Sequence, residues 1–249
     1  MFRFKKSDHT LQTGFIEDEG EFYYAPENDG KLYTGGIGIF EDVNTGYQNI
    51  NRGTSHLNVV VNNSELQHCY YYNPQRVRGA MTIDGHKFLF DENGEGVHGV
   101  VTDNGQEYLY NHGELVKDAF VKVGGNTYRS DSEARVIKNK LVIFDQKSGK
   151  AVFCDEDGKT YNDLGEFTFE GKDYYLSNGV LATYFTSHDD WKHEVFYSPE
   201  DFSKAKGFFT YDGSLCYADK VTGYVPYGLF EVDGKKYFAR RDHRIYGSL

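Results

Sequence analysis

Two acidic runs, Asp91-Glu92-Asn93-Gly94 and Asp155-Glu156-Asp157-Gly158, cluster oxygen ligands as the opening of a calcium loop does. An EF-hand also needs a glycine at its sixth position and a glutamate at its twelfth. Counted from Asp91 the sixth residue is Gly96, but the twelfth is Thr102, so both runs read as turns between strands. The cluster His188-Asp189-Asp190 with His193 and Glu194 offers nitrogen and oxygen ligands, at the spacing of no zinc motif. It reads as a solvated turn of mixed charge. Cys69, Cys154 and Cys216 are odd in number and far apart, with no CxxC pair, which excludes a zinc knuckle and a disulfide framework. Cys154 and Cys216 stand on strand positions beside aromatics and read as small buried thiols. The 38 acidic residues supply many accidental carboxylate pairs, and none is singled out for glycosidase chemistry. A GxSxG nucleophile elbow and a glycine-rich phosphate loop are both missing. No catalytic residue, metal or cofactor is expected.

The elements that carry these residues repeat. From Gly79 onward the clearest copies are GAMTIDGHKFLFDENGEGVHG, GVVTDNGQEYLYNHGELVKD and GLFEVDGKKYFARRDHRIYG. A period of roughly 20 residues is the mark of a solenoid or array. One turn recurs as Asp84-Gly85, Asn104-Gly105, Gly124-Gly125, Glu170-Gly171, Asp212-Gly213 and Asp233-Gly234. These dipeptides tolerate positive φ at both centres of a type I′ turn, and alternating apolar residues flank them, so each predicts a β-hairpin. A second turn, at Asp29-Gly30, Asn93-Gly94, His112-Gly113, Asp157-Gly158, Asn178-Gly179 and Thr222-Gly223, reverses the chain toward the next hairpin. Copies begin near 79, 99, 119, 140, 164, 184, 208 and 228, with longer turns at 145–150 and 187–194.

A lone hairpin is marginal in water, so the ring pairs Phe88/Phe90, Tyr108/Tyr110, Tyr174/Tyr175, Phe196/Tyr197 and Tyr237/Phe238 are expected to pack between successive hairpins. The N-terminal third is less regular. Residues 14–35 form a full copy with Glu19-Gly20 as its turn and Phe22 and Tyr24 as its rings. Residues 36–78 are degraded, although 57–73 still reads as a hairpin around Asn62-Asn63 followed by Tyr70–Tyr72. The expectation is an all-β chain, a β-solenoid of stacked β-hairpins with an irregular N-terminal third. Residues 1–78 would be a capping or docking region of degenerate repeats, and 79–249 the hairpin-repeat solenoid.

Composition bounds the function. A net charge of −11 argues against nucleic acid, which needs a basic surface. A mean hydropathy of −0.65 and the lack of any long apolar run argue against a membrane span. The opening MFRFKKSDHTLQTG has no apolar h-region, so no signal peptide is expected. The chain is expected to be cytoplasmic, or to reach a virion or the cell surface after lysis.

The pattern of a glycine, an aromatic, a second glycine, paired aromatics and two further glycines resembles the cell-wall-binding repeats, most specifically in 79–118 and 228–247. That family includes choline-binding, glucan-binding and clostridial-toxin repeats. The resemblance implies a non-enzymatic solenoid that binds a surface polymer, a wall glycan or teichoic acid, between hairpins. The residue after the leading glycine, Trp in the family, is here Phe15, Ala80, Val100, Phe120, Phe209 or Leu229, and Trp191 lies off the motif. A Trp-built choline cage is therefore not expected, and the Tyr/Phe version is more similar to the toxin and glucan-binding repeats. By position, the resemblance makes Tyr24, Tyr110, Tyr175, Tyr197 and Tyr237 the candidate ligand-binding residues. Partners would be a bacterial cell-wall polymer or glycan and, for a phage component contacting its host, other virion proteins. The alternative is a structural virion or protein-binding rod with no glycan ligand.

Overall fold

The computed structural model describes residues 1–25, 30–32, 37–42, 48–52, 67–72, 74–83, 85–187 and 193–248. The expected turn residues Asp29, Asn62-Asn63 and Asp84, the His188-Asp189-Asp190 cluster and Trp191 lie outside them. Among the described residues the secondary structure is strands and turns, with no helix. Two compact units divide the chain, Met1–Lys138 with Glu156–Lys159, and Asn139–Asp155 with Thr160–Leu249.

In the first unit, β1 (Gly14–Asp18) pairs with β2 (Glu21–Ala25). Next, β3 (Ile37–Asp42) pairs with both β4 (Gln48–Arg52) and β5 (Gln67–Tyr72). The hairpins β6 (Gly79–Ile83) with β7 (His86–Phe90) and β8 (Gly99–Asp103) with β9 (Gln106–Asn111) follow. They are joined into one sheet by β10 (Glu114–Leu115), which pairs with both β7 and β9. The unit's last hairpin is β11 (Phe120–Val123) with β12 (Asn126–Arg129).

The second unit repeats the plan. It begins with β13 (Lys140–Asp145) and β14 (Lys150–Cys154), with β15 (Thr160–Tyr161) beside β14. Then come β16 (Gly165–Phe169) with β17 (Lys172–Ser177), and β18 (Val180–Leu181), which pairs with both β17 and β14. The remaining hairpins are β19 (Tyr184–Ser187) with β20 (Glu194–Tyr197), β21 (Gly207–Tyr211) with β22 (Ser214–Ala218), and β23 (Gly228–Val232) with β24 (Lys235–Ala239). A last strand, β25 (Ile245–Ser248), closes on β24.

The hairpin turns are those expected. Positive φ occurs at both centres of Glu19-Gly20, Asn104-Gly105, Gly124-Gly125, Glu170-Gly171, Asp212-Gly213 and Asp233-Gly234, with Asn104 at 49° and Gly105 at 79°. That is the type I′ conformation, whose twist matches the strands it joins. The second turns are of two kinds. His112-Gly113 and Asn178-Gly179 also have positive φ at both centres, and each sends a short strand, β10 or β18, back along its own hairpin. Elsewhere a polar side chain caps the turn: Asp91 Oδ1 accepts from the Asn93 and Glu95 amides, and Asp219 Oδ1 from those of Val221 and Thr222. The carboxylate that resembles a calcium ligand thus satisfies backbone donors. Three second turns have no glycine, with Ala134, Phe202 and His243 at φ of 66°, 62° and 64°.

A recurring backbone bond ties successive hairpins at five junctions. Within the first unit the amides of Arg76, Gly96 and Val136 donate to the carbonyls of Phe22, Cys69 and Glu107 at 2.7–2.9 Å. Within the second, Lys204 donates to Asp173 and Val225 to Glu194, at 2.7 and 2.8 Å. In all five, the donor follows a second turn and the acceptor sits near the start of the preceding hairpin's returning strand. The interior of most steps is a residue at or next to the end of that strand: Ala25, Phe90, Ser130, Cys154, Leu176, Tyr197, Ala218 and Ala239 are each at most 2% exposed. Cys69, Cys154 and Cys216 are free and buried, and burial pushes the Cys69 and Cys216 thiols up.

Candidate functional site

Five residues that follow the leading position, which is glycine in all but the Phe120 hairpin, lie on the outer face. Val100, Phe120, Phe208 and Leu229 are 36%, 37%, 43% and 61% exposed, and Ala80 is exposed too. One member differs from expectation. Gly207 stands opposite Ala218 just as Gly228 stands opposite Ala239, so the motif residue of that hairpin is Phe208, not Phe209. Phe209 points the other way, and its ring stacks on Phe196 at 4.6 Å.

The corrected register brings a ring quartet together. Phe208 lies 5.0 Å from Tyr217 and 5.3 Å from Tyr237, and Phe230 lies 5.4 Å from Tyr217 and 5.7 Å from Tyr237. Two rings come from each of two successive hairpins, so the quartet exists only when they are docked. It includes the predicted Tyr237, which is half-buried.

Among the described residues, a groove runs between hairpins in each unit. The groove in the first unit, about 840 Å³, is lined by Tyr108, the predicted Tyr110, His86, Lys87, Asp103 and Glu114, among others. Burial, with Asp103 nearby, raises the Tyr110 hydroxyl above the usual phenol range, so it stays protonated as a donor. His86 Nδ1 lies 2.8 Å from Glu114 Oε1, which links β7 to β10 across the groove. Ring faces beside acids and amines suit a ligand that offers hydroxyls and a flat apolar face.

The groove in the second unit, about 910 Å³, has Phe196 and Phe209 as its floor and Tyr184 and Tyr211 as walls. Tyr184 and Tyr211 meet edge to face at 6.1 Å. Carboxylates of Asp201 and Asp212 stand on the rim. Burial opposes the charge on Asp201, but hydrogen bonds from Lys172 and Ser203 outweigh it and hold the carboxyl at about 2. Tyr184 occupies the place of a leading glycine, with φ of 61° and 48% exposure. A bulky side chain in left-handed backbone is a strained outlier, and such strain concentrates at functional sites.

The five candidate tyrosines are thus not equivalent. Tyr110 lines the first groove and Tyr237 belongs to the quartet. Tyr175 is half-buried on β17. Tyr24 is 6% exposed and packs on Tyr72 with ring centroids 6.4 Å apart. Tyr197 is fully buried, and its hydroxyl donates to Glu166 Oε1 at 3.2 Å. Sequence reasoning missed Tyr184, Phe208 and Tyr211. The signal for Tyr184 was a tyrosine standing where the repeat places glycine. Among the described residues no three His, Cys, Asp or Glu side chains gather as a metal site would require, and no helix is long and apolar enough to cross a membrane.

No protein-family model matches the chain, and no curated protein matches it in sequence. Solved structures do match it in shape. Choline binding protein F from Streptococcus pneumoniae, in the presence of a peptidoglycan analogue, superposes with a TM-score of 0.62 at 18% identity, over 98% of this chain and 92% of that one. CbpJ from Streptococcus pneumoniae TIGR4 gives 0.60 at 15% identity, over 99% and 94%. CbpF in complex with ipratropium gives 0.60 at 16% identity, over 98% and 92%. In its described residues, the chain has the hairpin-repeat fold of the choline-binding cell-wall proteins.

Proposed function

We propose that this chain is a non-catalytic module that binds a repeating polymer of the Gram-positive cell surface, a wall glycan or teichoic acid, in the grooves between its hairpins. The observation that carries this reading is the second unit's groove. Its ring floor is walled by the strained, half-exposed Tyr184 and rimmed by carboxylates, on a hairpin whose own interior is already filled by Tyr197. Support comes from the peptidoglycan analogue present with choline binding protein F, whose fold this chain shares. In this reading weak sites repeated along the chain gain avidity of about 10²- to 10⁴-fold on a repeating polymer. The module meets the wall after lysis, as a virion component that contacts the host.

A second reading concerns the group on that polymer. Aromatic faces beside Asp201 and Asp212 also suit a quaternary ammonium substituent such as choline. Retention on purified walls, with and without their teichoic acid, tests the main reading. Elution by free choline assigns the ammonium group, and elution by soluble wall fragments assigns the glycan. No retention on any wall defeats both.

A further inference from the structure

One aromatic junction of this chain already holds a cation. The Arg76 guanidinium carbon sits 4.4 Å from the Phe22 ring centroid and 4.2 Å from that of Tyr70, with Tyr72 at 5.4 Å. Its Nε and Nη2 both donate to the Tyr72 hydroxyl, at 2.9 and 2.7 Å, and its Nη1 donates to the Asn93 carbonyl at 3.2 Å. Phe22 belongs to β2, Tyr70 and Tyr72 to β5, and Asn93 to the turn after β7, so one side chain ties three successive repeats. Glycine is required opposite its stem: a Cβ on Gly94 would lie 2.5 Å from both Cγ and Cδ of Arg76.

The repeat does not need arginine here. The residue that bridges the buried end of the returning strand is Arg76 opposite Tyr72, Gly96 opposite Phe90, Val136 opposite Ser130 and Lys204 opposite Tyr197. The backbone step is the same whether that residue carries no side chain, an apolar one or a cation. Lys204 sends its ammonium to Glu166, a carboxylate. The rings around Arg76 are therefore a local feature of this junction, matched to a planar cation that offers several donors.

We propose that the Phe22–Tyr70–Tyr72 junction is a cation-binding site closed by the chain's own Arg76 acting as an internal ligand. Its consequence for specificity rests on the proposed function: polymer is excluded from this junction and confined to those whose rings face solvent. Removing the side chain leaves a pocket for a small guanidinium ion.

The test is chemical rescue in the full chain. Arg76→Ala is unfolded thermally across a millimolar series of methylguanidinium, beside wild type and Arg78→Ala, whose guanidinium pairs with Glu21 on the surface. The Arg76→Ala protein is expected to gain stability saturably, its folded-to-unfolded ratio rising about elevenfold at ten times the dissociation constant, while the two controls do not respond. No saturable gain, or an equal gain in Arg78→Ala, overturns the proposal. Should Arg76→Ala fail to fold, the wild-type Arg76 Nε–H resonance decides: two ring faces should shift it strongly upfield, and an unshifted signal overturns the proposal. Both readouts are independent of wall binding, so a failure of wall retention leaves them intact.

Discussion

A methyl group added at Gly158 tests whether the second-turn glycine exists for backbone freedom or for contact between repeats. Gly158 has φ of 85°, and a Cβ there would lie 2.7 Å from Val136 Cγ1, a side chain from the preceding second turn. Gly213, in a type I′ hairpin turn, has φ of 69° and nothing within 4 Å of such a Cβ. Gly213→Ala therefore reports backbone strain alone, about 1–2 kcal/mol. Gly158→Ala adds overpacking of about 1–3 kcal/mol, because Val136 is 7% exposed and stiff at χ1. The expected total for Gly158→Ala is about 2–5 kcal/mol.

The cause is isolated by a double-mutant cycle with Val136→Ala, which deletes the opposing methyl. The pair should be coupled, the double mutant being more stable than the sum of single effects by about 1–3 kcal/mol. Repeat arrays need not unfold in one step, so urea unfolding should be read together with amide exchange at Val136 and its neighbours. Equal losses for Gly158→Ala and Gly213→Ala, or an additive cycle, refute the interlock.

Three shorter predictions follow. Tyr184→Ala should weaken wall retention while costing little stability, because its ring is half exposed and its φ strain is relieved in part; unchanged retention removes it from the site. Tyr197→Phe deletes a buried donor to Glu166 that Lys204 also serves, so a loss of about 0.5–1.5 kcal/mol with unchanged wall binding is expected in denaturant titrations. Asp201 is held at about 2 against 3.8 in the unfolded chain, so it stabilises the fold above the unfolded value and loses that contribution as pH falls through about 2. Asp201→Asn should therefore flatten the acid limb of the stability profile below pH 3.8, and an unchanged limb counts against the Lys172 and Ser203 bonds.

The hairpins were legible because a two-residue type I′ turn demands residues that tolerate positive φ, and Asn-Gly, Asp-Gly and Gly-Gly advertise it. Turns at Ala134, Phe202 and His243 were not, because packing forces those non-glycine residues into the same backbone region. Phe202 is 1% exposed in the core around Leu176 and Leu181, which offsets its strain. The strands β10 and β18, two residues each, are too short to leave a periodic signal, yet they merge neighbouring hairpins into one sheet. The candidate rings were mixed for a related reason. Tyr197 stands opposite the leading position of its hairpin, Tyr175 one residue before that place and Tyr237 two before it, and a strand alternates faces at every residue, so Tyr175 faces away from the side that the other two share. Aromatic pairs are visible in sequence and the type I′ turn sets their register within a hairpin, but which rings are covered depends on the bridge that follows each second turn.

Core and outer face are therefore written at different positions of the same hairpin, and they can change independently. The buried end of the returning strand holds the step together, whereas Ala80, Val100, Phe120, Phe208 and Leu229, each one residue after the leading position, face outward. Leu229 is 61% exposed and pairs across the strand with Phe238, itself 46% exposed. Leu229→Trp places the strongest cation–π side chain on that surface next to a second ring. Because nothing buried is altered, stability should stay within about 0.5 kcal/mol of wild type. If the outer row sets ligand choice, this one substitution should strengthen wall retention and make it more sensitive to free choline, with the indole emission shifting on binding. A Leu229→Trp chain that keeps its stability but shows neither change would mean that the row is only a solvated edge, and that polymer recognition resides in the grooves alone.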